Sequence, residues 1–211
     1  MLKLSLLLLS ILLTPASFAK PNTFLPVDEA ARDPSFLAFR TELIRVVKEQ
    51  DEQALLKIVD PQIEYSFGDD PGVDGFSRQW KLNNGGSHEL WQSILAVLEL
   101  GGKFNQEGEF VAPYVFANWP ANRDGFEYSA VIVPEASVRA KANARAKPVA
   151  KVGYEILKLR DARAPEKWMA VDVNGKRGFL PSYTLRSPID FRAFFKKVEG
   201  EWRMTAFIAG D

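Results

Sequence analysis

The residues that could carry acid–base or nucleophilic chemistry are few in this chain. It contains one histidine, His88, and no cysteine among its 211 residues. A Ser-His-Asp triad would have to use His88, and thiol nucleophiles, thiolate metal sites and disulfides are excluded. Ser87 directly precedes His88, but neighbouring residues on a helix do not face one another. We therefore expect His88 to be a polar surface or capping residue at the start of a helix.

Carboxylates offer two further patterns. Asp69, Asp70 and Asp74 lie in a glycine-rich turn where oxygens could converge on Ca²⁺, but the EF-hand order is absent and aspartate is a common turn former. A glycosidase needs two carboxylates about 5–10 Å apart, for which Glu64, Asp70, Asp74 and Glu89 are candidates. A glycan hydrolase, or an accessory of one, stays open as an alternative. We predict no catalytic residue, no cofactor and no metal site.

The first 19 residues, MLKLSLLLLSILLTPASFA, have the order of a cleaved secretory signal. Lys3 precedes an apolar run from Leu4 to Leu13, and Ser17 and Ala19 place small residues before a cut. The run is shorter than the roughly 20 apolar residues of a membrane span. We expect an exported chain, periplasmic or extracellular, that begins near residue 20 and has no membrane span.

Charge divides the rest of the chain. Residues 20–128 hold 10 basic and 18 acidic residues, a net charge of −8, whereas residues 129–187 hold 12 and 5, a net charge of +7. Such asymmetry indicates two modules. The neutral total argues against a nucleic-acid partner, since nucleic-acid binders usually carry a basic excess. Either the two halves attract each other within the molecule, or the basic half meets an anionic partner.

Helical signals dominate the first half. Asp33-Pro34 is typical of a helix start, and apolar residues then recur close to a 3.6-residue period. Ser87 is the expected cap of a second strong helix, which ends at Gly101-Gly102. These signals predict a helical or α+β domain over residues 20–125.

Short β-prone runs and turn signals dominate the second half. Trp168–Val173 and Arg177–Leu180 flank Asn174-Gly175, the signal of a tight hairpin. This spacing predicts a small β-barrel over residues 126–187. Residues 188–211 are expected to form one more hairpin, which turns at Glu199-Gly200 and packs on the rest. The predicted fold class is α+β.

Residues 137–185 resemble the bacterial SH3 (SH3b) domain. Val138-Arg139 matches the valine-arginine pair that precedes a variable loop in that family. Residues 167–171, KWMAV, resemble its tryptophan strand, residues 174–180, NGKRGFL, its hairpin, and residues 182–185, SYTL, its closing segment. Phe179 stands where tryptophan is usual, and the loop lacks the usual glycine-proline. The ending resembles that of exported SH3b-containing proteins of unassigned activity.

The resemblance implies an SH3-like barrel and a non-catalytic binding protein, whose ligand is a cell-wall peptide or an envelope protein. The candidate ligand-binding residues are Arg139, Tyr154, Trp168 and Tyr183. Tyr183 is the stronger groove candidate, because tyrosine offers a flat apolar face with a hydroxyl, whereas Trp168 is expected to be at least partly buried. A barrel whose role is only structural, docked on the acidic N-terminal domain, stays open as an alternative, as does the hydrolase.

Overall fold

The computed structural model describes residues 23–68, 71–161 and 167–210. Within these ranges it is a mixed α+β structure with five α-helices and two sheets, which confirms the predicted fold class. None of the helices in these ranges has the length and apolar character needed to cross a membrane. The predicted leader, residues 1–19, and two acids of the candidate Ca²⁺ turn, Asp69 and Asp70, lie outside the described residues.

Helices occupy the first half of the chain and strands most of the second. The helices are α1 (Pro34–Glu49), α2 (Glu52–Ile58), α3 (Val73–Trp80), α4 (His88–Glu99) and α5 (Tyr114–Ala117). The strands are β1 (Val59–Glu64), β2 (Lys103–Phe104), β3 (Phe110–Ala112), β4 (Tyr128–Val131), β5 (Ala136–Arg139), β6 (Pro148–Val152), β7 (Ile156–Asp161), β8 (Trp168–Val173), β9 (Lys176–Pro181), β10 (Leu185–Arg186), β11 (Arg192–Val198) and β12 (Glu201–Ile208). Short 3-10 helices cover Ala30–Arg32, Leu82–Asn84 and Ser182–Thr184.

Each of the two long helices begins at a side-chain cap, and both caps lie at the residues that the sequence predicts. The Asp33 carboxylate accepts hydrogen bonds from the backbone N–H groups of Ser35 (2.8 Å) and Phe36 (3.2 Å), which would otherwise lack partners at the first turn of α1. The hydrogen bond from the Ser35 hydroxyl is the main cause that lowers the pKa of Asp33 to about 2. Ser87 accepts a hydrogen bond from Leu90 N–H (3.2 Å) and caps α4, whose first residue, His88, is exposed as expected.

The C-terminal hairpin lies in the middle of the five-stranded sheet, whose order is β1-β12-β11-β3-β2. β12 runs parallel to β1, and the other neighbours are antiparallel. Glu199 (φ 53°) and Gly200 (φ 88°) form the turn that the sequence predicts, with the two positive φ angles of a tight hairpin. Residues from both ends of the chain therefore share one sheet. We call the described residues of 23–125 and 188–210 the helical unit, and those of 126–187 the strand unit.

Aromatic rings from the helices and the hairpin form the core of the helical unit. The Phe36 ring is fully buried, and its centroid lies 4.2 Å from that of Phe110, 4.9 Å from that of Trp202 and 5.7 Å from that of Phe195. Trp202 and Phe195 belong to the C-terminal hairpin, whereas Phe110 belongs to β3. The hairpin is therefore part of this core.

The strand unit is a seven-stranded antiparallel sheet with the order β10-β4-β7-β8-β9-β5-β6. Among the described residues no pairing joins β10 to β6, so the ladder stays open and does not show the closure of a barrel. Its core contains Val131, Val138, Val171 and Leu180, all fully buried. The predicted hairpin turn at Asn174-Gly175 is confirmed, since both residues have positive φ (53° and 77°).

An apolar junction joins the two units. Phe24 is buried between them, with its ring centroid 5.4 Å from Tyr114 and 5.8 Å from Trp119, and its N–H donates to the Tyr154 carbonyl (2.5 Å). Tyr114 is fully buried, and its hydroxyl has no hydrogen-bond partner among the described residues. Burial raises the pKa of Tyr114 to about 12, with a smaller contribution from Tyr154. Buried apolar contacts therefore hold the two units together.

Replacing Phe36 tests the aromatic core. Phe36→Ala leaves a cavity among the rings of three separate chain segments and should lower the free energy of unfolding by about 3–5 kcal/mol. Leu37→Ala, at the neighbouring position with 38% of its surface exposed, should lower it by about 0.5 kcal/mol. Urea denaturation followed by circular dichroism measures both variants. Equal losses in the two variants would contradict the packing described above.

Replacing Tyr114 tests the junction. Tyr114→Phe removes a buried hydroxyl without a partner and should raise the free energy of unfolding by about 1 kcal/mol at neutral pH. The wild-type pKa of about 12, above the ordinary value of 10.0, means that the folded state keeps a proton that the unfolded state loses. Wild-type stability should therefore fall as the pH rises from 10 to 12, and Tyr114→Phe should lack this component. Denaturation at several pH values, with Tyr183→Phe as the exposed control, measures the difference.

Candidate functional site

A groove of about 640 Å³ lies on the strand unit beside the 3-10 helix Ser182–Thr184. It is lined by residues from the segment before β5, from β5 and its following loop, from the start of β8, from the end of β9 and from the 3-10 helix. We call it the Tyr183 groove; its lining residues are Val133, Glu135, Ala136, Ser137, Arg139, Ala144, Lys167, Trp168, Pro181, Ser182, Tyr183 and Thr184.

Strand pairing brings three of the four sequence-predicted residues to this groove. Arg139 on β5 lies opposite Phe179 on β9, and Trp168 on β8 lies opposite Pro181 at the end of β9. The Ser182 N–H donates to the Lys167 carbonyl (2.9 Å), which places the 3-10 helix beside the start of β8. Arg139, Trp168 and Tyr183 therefore line one surface although 44 positions separate the first from the last.

Tyr183 is the most exposed large hydrophobic residue that the structure describes, at 78% of its surface. Its helix is held on both sides, because the Thr184 hydroxyl donates to the Pro181 carbonyl (2.7 Å) and the Thr184 carbonyl accepts from Ile132 N–H (3.0 Å). The Tyr183 ring and hydroxyl have no aromatic or hydrogen-bond partner among the described residues. A fixed backbone thus presents an unpartnered aromatic side chain to the groove.

Trp168 is half-buried beside it. Its indole N–H has no hydrogen-bond acceptor among the described residues. Tryptophan N–H groups usually have a partner when they are buried, so this one is available to a ligand acceptor. The groove is therefore lined by two aromatic residues whose polar hydrogens have no acceptor among the described residues.

Arg139 has two roles in the geometry of the site. Its side chain lines the groove, and its Nη1 donates to the Ala146 carbonyl (3.0 Å) across the loop between β5 and β6. The loop is closed further by the hydrogen bond from Ala140 N–H to the Lys147 carbonyl (3.0 Å). Arg145 N–H is in turn bonded to the Asn143 side chain (2.8 Å). The loop that flanks the groove is thus held by its own hydrogen bonds.

Tyr154 is not among the residues that line the Tyr183 groove. It lies between β6 and β7 with φ 49°, donates its N–H to the Val133 carbonyl (3.1 Å) and accepts from Phe24 N–H at the junction. The structure therefore places Tyr154 against the helical unit, away from Arg139, Trp168 and Tyr183.

Two charged residues of the groove were missed by the sequence reasoning. Glu135 precedes β5 and forms an ion pair with Lys151 (2.8 Å), and Lys167 directly precedes β8 with φ 71°. No local pattern singles out either residue, because their proximity depends on the register between β5, β8 and β9. Pro181, which pairs directly with Trp168 across β8 and β9, was missed for the same reason.

The carboxylate candidates that the structure describes, Glu64, Asp74 and Glu89, do not line a common groove. Glu64 lines a separate groove of about 360 Å³ on the five-stranded sheet together with Glu109, and neither Asp74 nor Glu89 lines that groove. Asp74 and Glu89 are exposed on α3 and α4. Within the described ranges, no cluster of three or more His, Asp or Glu residues could hold a metal ion.

Comparisons with known proteins assign no family to these features. No family model matches the chain, and no curated protein matches its sequence.

Removing the Arg139 side chain should loosen the loop that it ties down. In Arg139→Ala the backbone amides of residues 140–147 should exchange with solvent about fivefold faster or more, because the guanidinium hydrogen bond to Ala146 is lost. Arg145→Ala is the matched control, since its side chain has no hydrogen bond to the described part of the chain. Native-state amide exchange measures both variants, and equal exchange rates would show that Arg139 does not hold the loop.

Proposed function

We propose that this protein is exported and binds an extended cell-wall peptide, without catalysis, in the Tyr183 groove. We further propose that the strand unit is an SH3-like barrel of the SH3b type. Support for export comes from residues 1–19, and support for the SH3b assignment comes from the ordered motifs between residues 137 and 185. Cell-wall peptide is one of the ligand classes that this resemblance implies.

The exposure of Tyr183 beside Trp168 is the observation that carries the proposal. Tyr183 is 78% exposed on a fixed 3-10 helix, so its ring contributes little to the stability of the protein's own fold. Tyrosine, tryptophan and arginine are the residues that most often contribute the binding energy of an interface, and all three line this groove. Aromatic-lined grooves of this kind bind extended peptides, because flat rings pack along the peptide while polar hydrogens bond its carbonyl groups.

The groove also has the size and polarity of a ligand site. Its volume of about 640 Å³ lies within the roughly 300–1,000 Å³ of small-ligand pockets. Val133, Ala136, Trp168 and Pro181 supply apolar surface, and serine hydroxyls lie among them. This mixture suits a peptide, which presents apolar side chains and polar backbone groups in alternation.

The chemistry of the lining favours binding over catalysis. Glu135 is the carboxylate among the lining residues, and it is paired with Lys151. His88 lies on α4 in the helical unit and is absent from the lining. A general acid and a general base would both have to lie within hydrogen-bond reach of a bound substrate. The described lining therefore lacks the two carboxylates of a glycosidase and the histidine of a catalytic triad.

Co-sedimentation with purified peptidoglycan tests the proposal. The chain from residue 20 onward should sediment with peptidoglycan, and Tyr183→Ala should weaken the apparent affinity about tenfold or more, because an aromatic contact is lost at the centre of the site. The exposed position of Tyr183 means that the fold should survive, which circular dichroism checks.

Phe126→Ala is the matched control, since Phe126 is 62% exposed and lies outside the groove lining. It should leave the affinity unchanged. Equal recovery of the wild type with and without peptidoglycan would refute the proposal. An equal loss in the two alanine variants would refute the assignment of the site to the Tyr183 groove.

A further inference from the structure

The segment that flanks the Tyr183 groove is basic and contains no acid. Residues 136–154 hold Arg139, Lys141, Arg145, Lys147 and Lys151 and neither aspartate nor glutamate. Ala144, in the middle of the loop between β5 and β6, lines the groove. Lys141, Arg145 and Lys147 do not line the groove themselves, but each lies within three positions of Ala144 on the same loop.

Three of these cations have no partner among the residues that the structure describes. Lys141, Arg145 and Lys147 are exposed, and their side chains form no ion pair or hydrogen bond with the rest of the described chain. By contrast, the exposed Arg45 of the helical unit forms ion pairs with Glu42 and Glu49 on the same helix. No described acid therefore compensates the charge of these three side chains.

The groove itself has an excess of positive charge. Arg139 and Lys167 line it, and Glu135, the carboxylate of the lining, is paired with Lys151. A ligand seated between the loop and Tyr183 would meet these cations together with the three on the loop. A free carboxylate on the ligand would be attracted, whereas an ammonium group would be repelled.

The loop presents its cations on a fixed backbone. Hydrogen bonds from Arg139 Nη1 to the Ala146 carbonyl and from Ala140 N–H to the Lys147 carbonyl close it at 3.0 Å each. Ala146 N–H also donates to the Asn143 carbonyl (3.0 Å). Because little backbone freedom is lost on binding, the electrostatic attraction is not offset by the cost of ordering the loop.

We propose that the Tyr183 groove selects peptides that carry free carboxylates, which the cations of the 140–147 loop recognise while Tyr183 and Trp168 pack on the apolar part of the same peptide. This inference rests on the proposed function and names its ligand chemistry. Lysine ammonium and arginine guanidinium groups form charge-assisted hydrogen bonds with carboxylates. Each exposed pair is weak and screened by salt, so selectivity comes from several pairs acting together at low ionic strength.

Two forms of one ligand test the proposal. Soluble peptidoglycan fragments with free peptide carboxylates are compared with the same fragments after their carboxylates are converted to methylamides. The full chain from residue 20 should bind the free form about tenfold more tightly at low salt, and the difference should shrink towards unity at about 0.5 M NaCl. Isothermal titration calorimetry gives the two dissociation constants.

A loop variant identifies the groups responsible. In Lys141→Gln/Arg145→Gln/Lys147→Gln most of the preference for the free fragments should be lost, because the loop cations that attract the carboxylates are removed. The fold should survive, because these exposed side chains form no ion pair or hydrogen bond with the described chain.

The control variant Lys57→Gln/Arg78→Gln/Lys81→Gln removes the same charge from exposed positions of the helical unit and should keep the preference for free carboxylates. Loss of the preference in this control would overturn the assignment to the loop.

The remaining outcomes separate this inference from the proposed function. If the wild type binds both forms equally well, the carboxylate selectivity is wrong while peptide binding stands. If it binds neither form, the proposed function fails and the inference fails with it.

Inorganic polyphosphate provides a polyanion without a peptide. Displacement of the free fragments by polyphosphate at equal charge concentration, with no effect of Tyr183→Ala on fragment binding, would indicate a general polyanion surface and overturn the proposal.

Discussion

The C-terminal hairpin, buried in the middle of the five-stranded sheet, is the constraint on which the two-unit architecture depends. β11 pairs with β3 and β12 pairs with β1, so strands from before and after the strand unit share one ladder. Phe195, Met204 and Phe207 of the hairpin are fully buried in the core of the helical unit. The strand unit is therefore held at both ends of its sequence, and Phe24 seals the junction from the N-terminal side. The groove of the strand unit can remain open, because the surfaces that hold this unit in place lie elsewhere.

The groove in turn depends on how closely β5 approaches β9. A Cβ added at Gly178 would lie 2.2 Å from Val138 Cγ1, so this approach requires glycine on β9. The same contact sets Arg139 opposite Phe179 and positions the loop that Arg139 ties down. Core packing and groove geometry are thus linked, because Val138 is buried in the strand unit while its neighbour Arg139 lines the groove. Successive side chains on a strand point to opposite faces of the sheet, so these neighbouring residues of β5 can have different roles.

Buried apolar contacts join the two units, and the ion pair between Arg186 and Asp190 (3.6 Å) also links them. The junction consists of Phe24, Tyr114, Val115 and Ala130, all buried, with partly buried apolar side chains around them. Several acids of the helical unit are paired within that unit, as Asp28 is with Arg40. The basic loop keeps its charge exposed to solvent, which is why we assign it to a ligand and not to the fold.

Local interactions determined what could be predicted from the sequence. The caps at Asp33 and Ser87 and the hairpin turns at residues 174–175 and 199–200 involve residues within a few positions of each other, so their signals are complete in a short stretch. The tertiary structure alone decided that the last hairpin lies in the middle of the first sheet, that Tyr154 faces the junction, and that Glu135 and Lys167 join the groove. These placements depend on strand order and register between segments that are far apart in the sequence. A short sequence pattern does not encode them, because the partner strand lies outside that pattern.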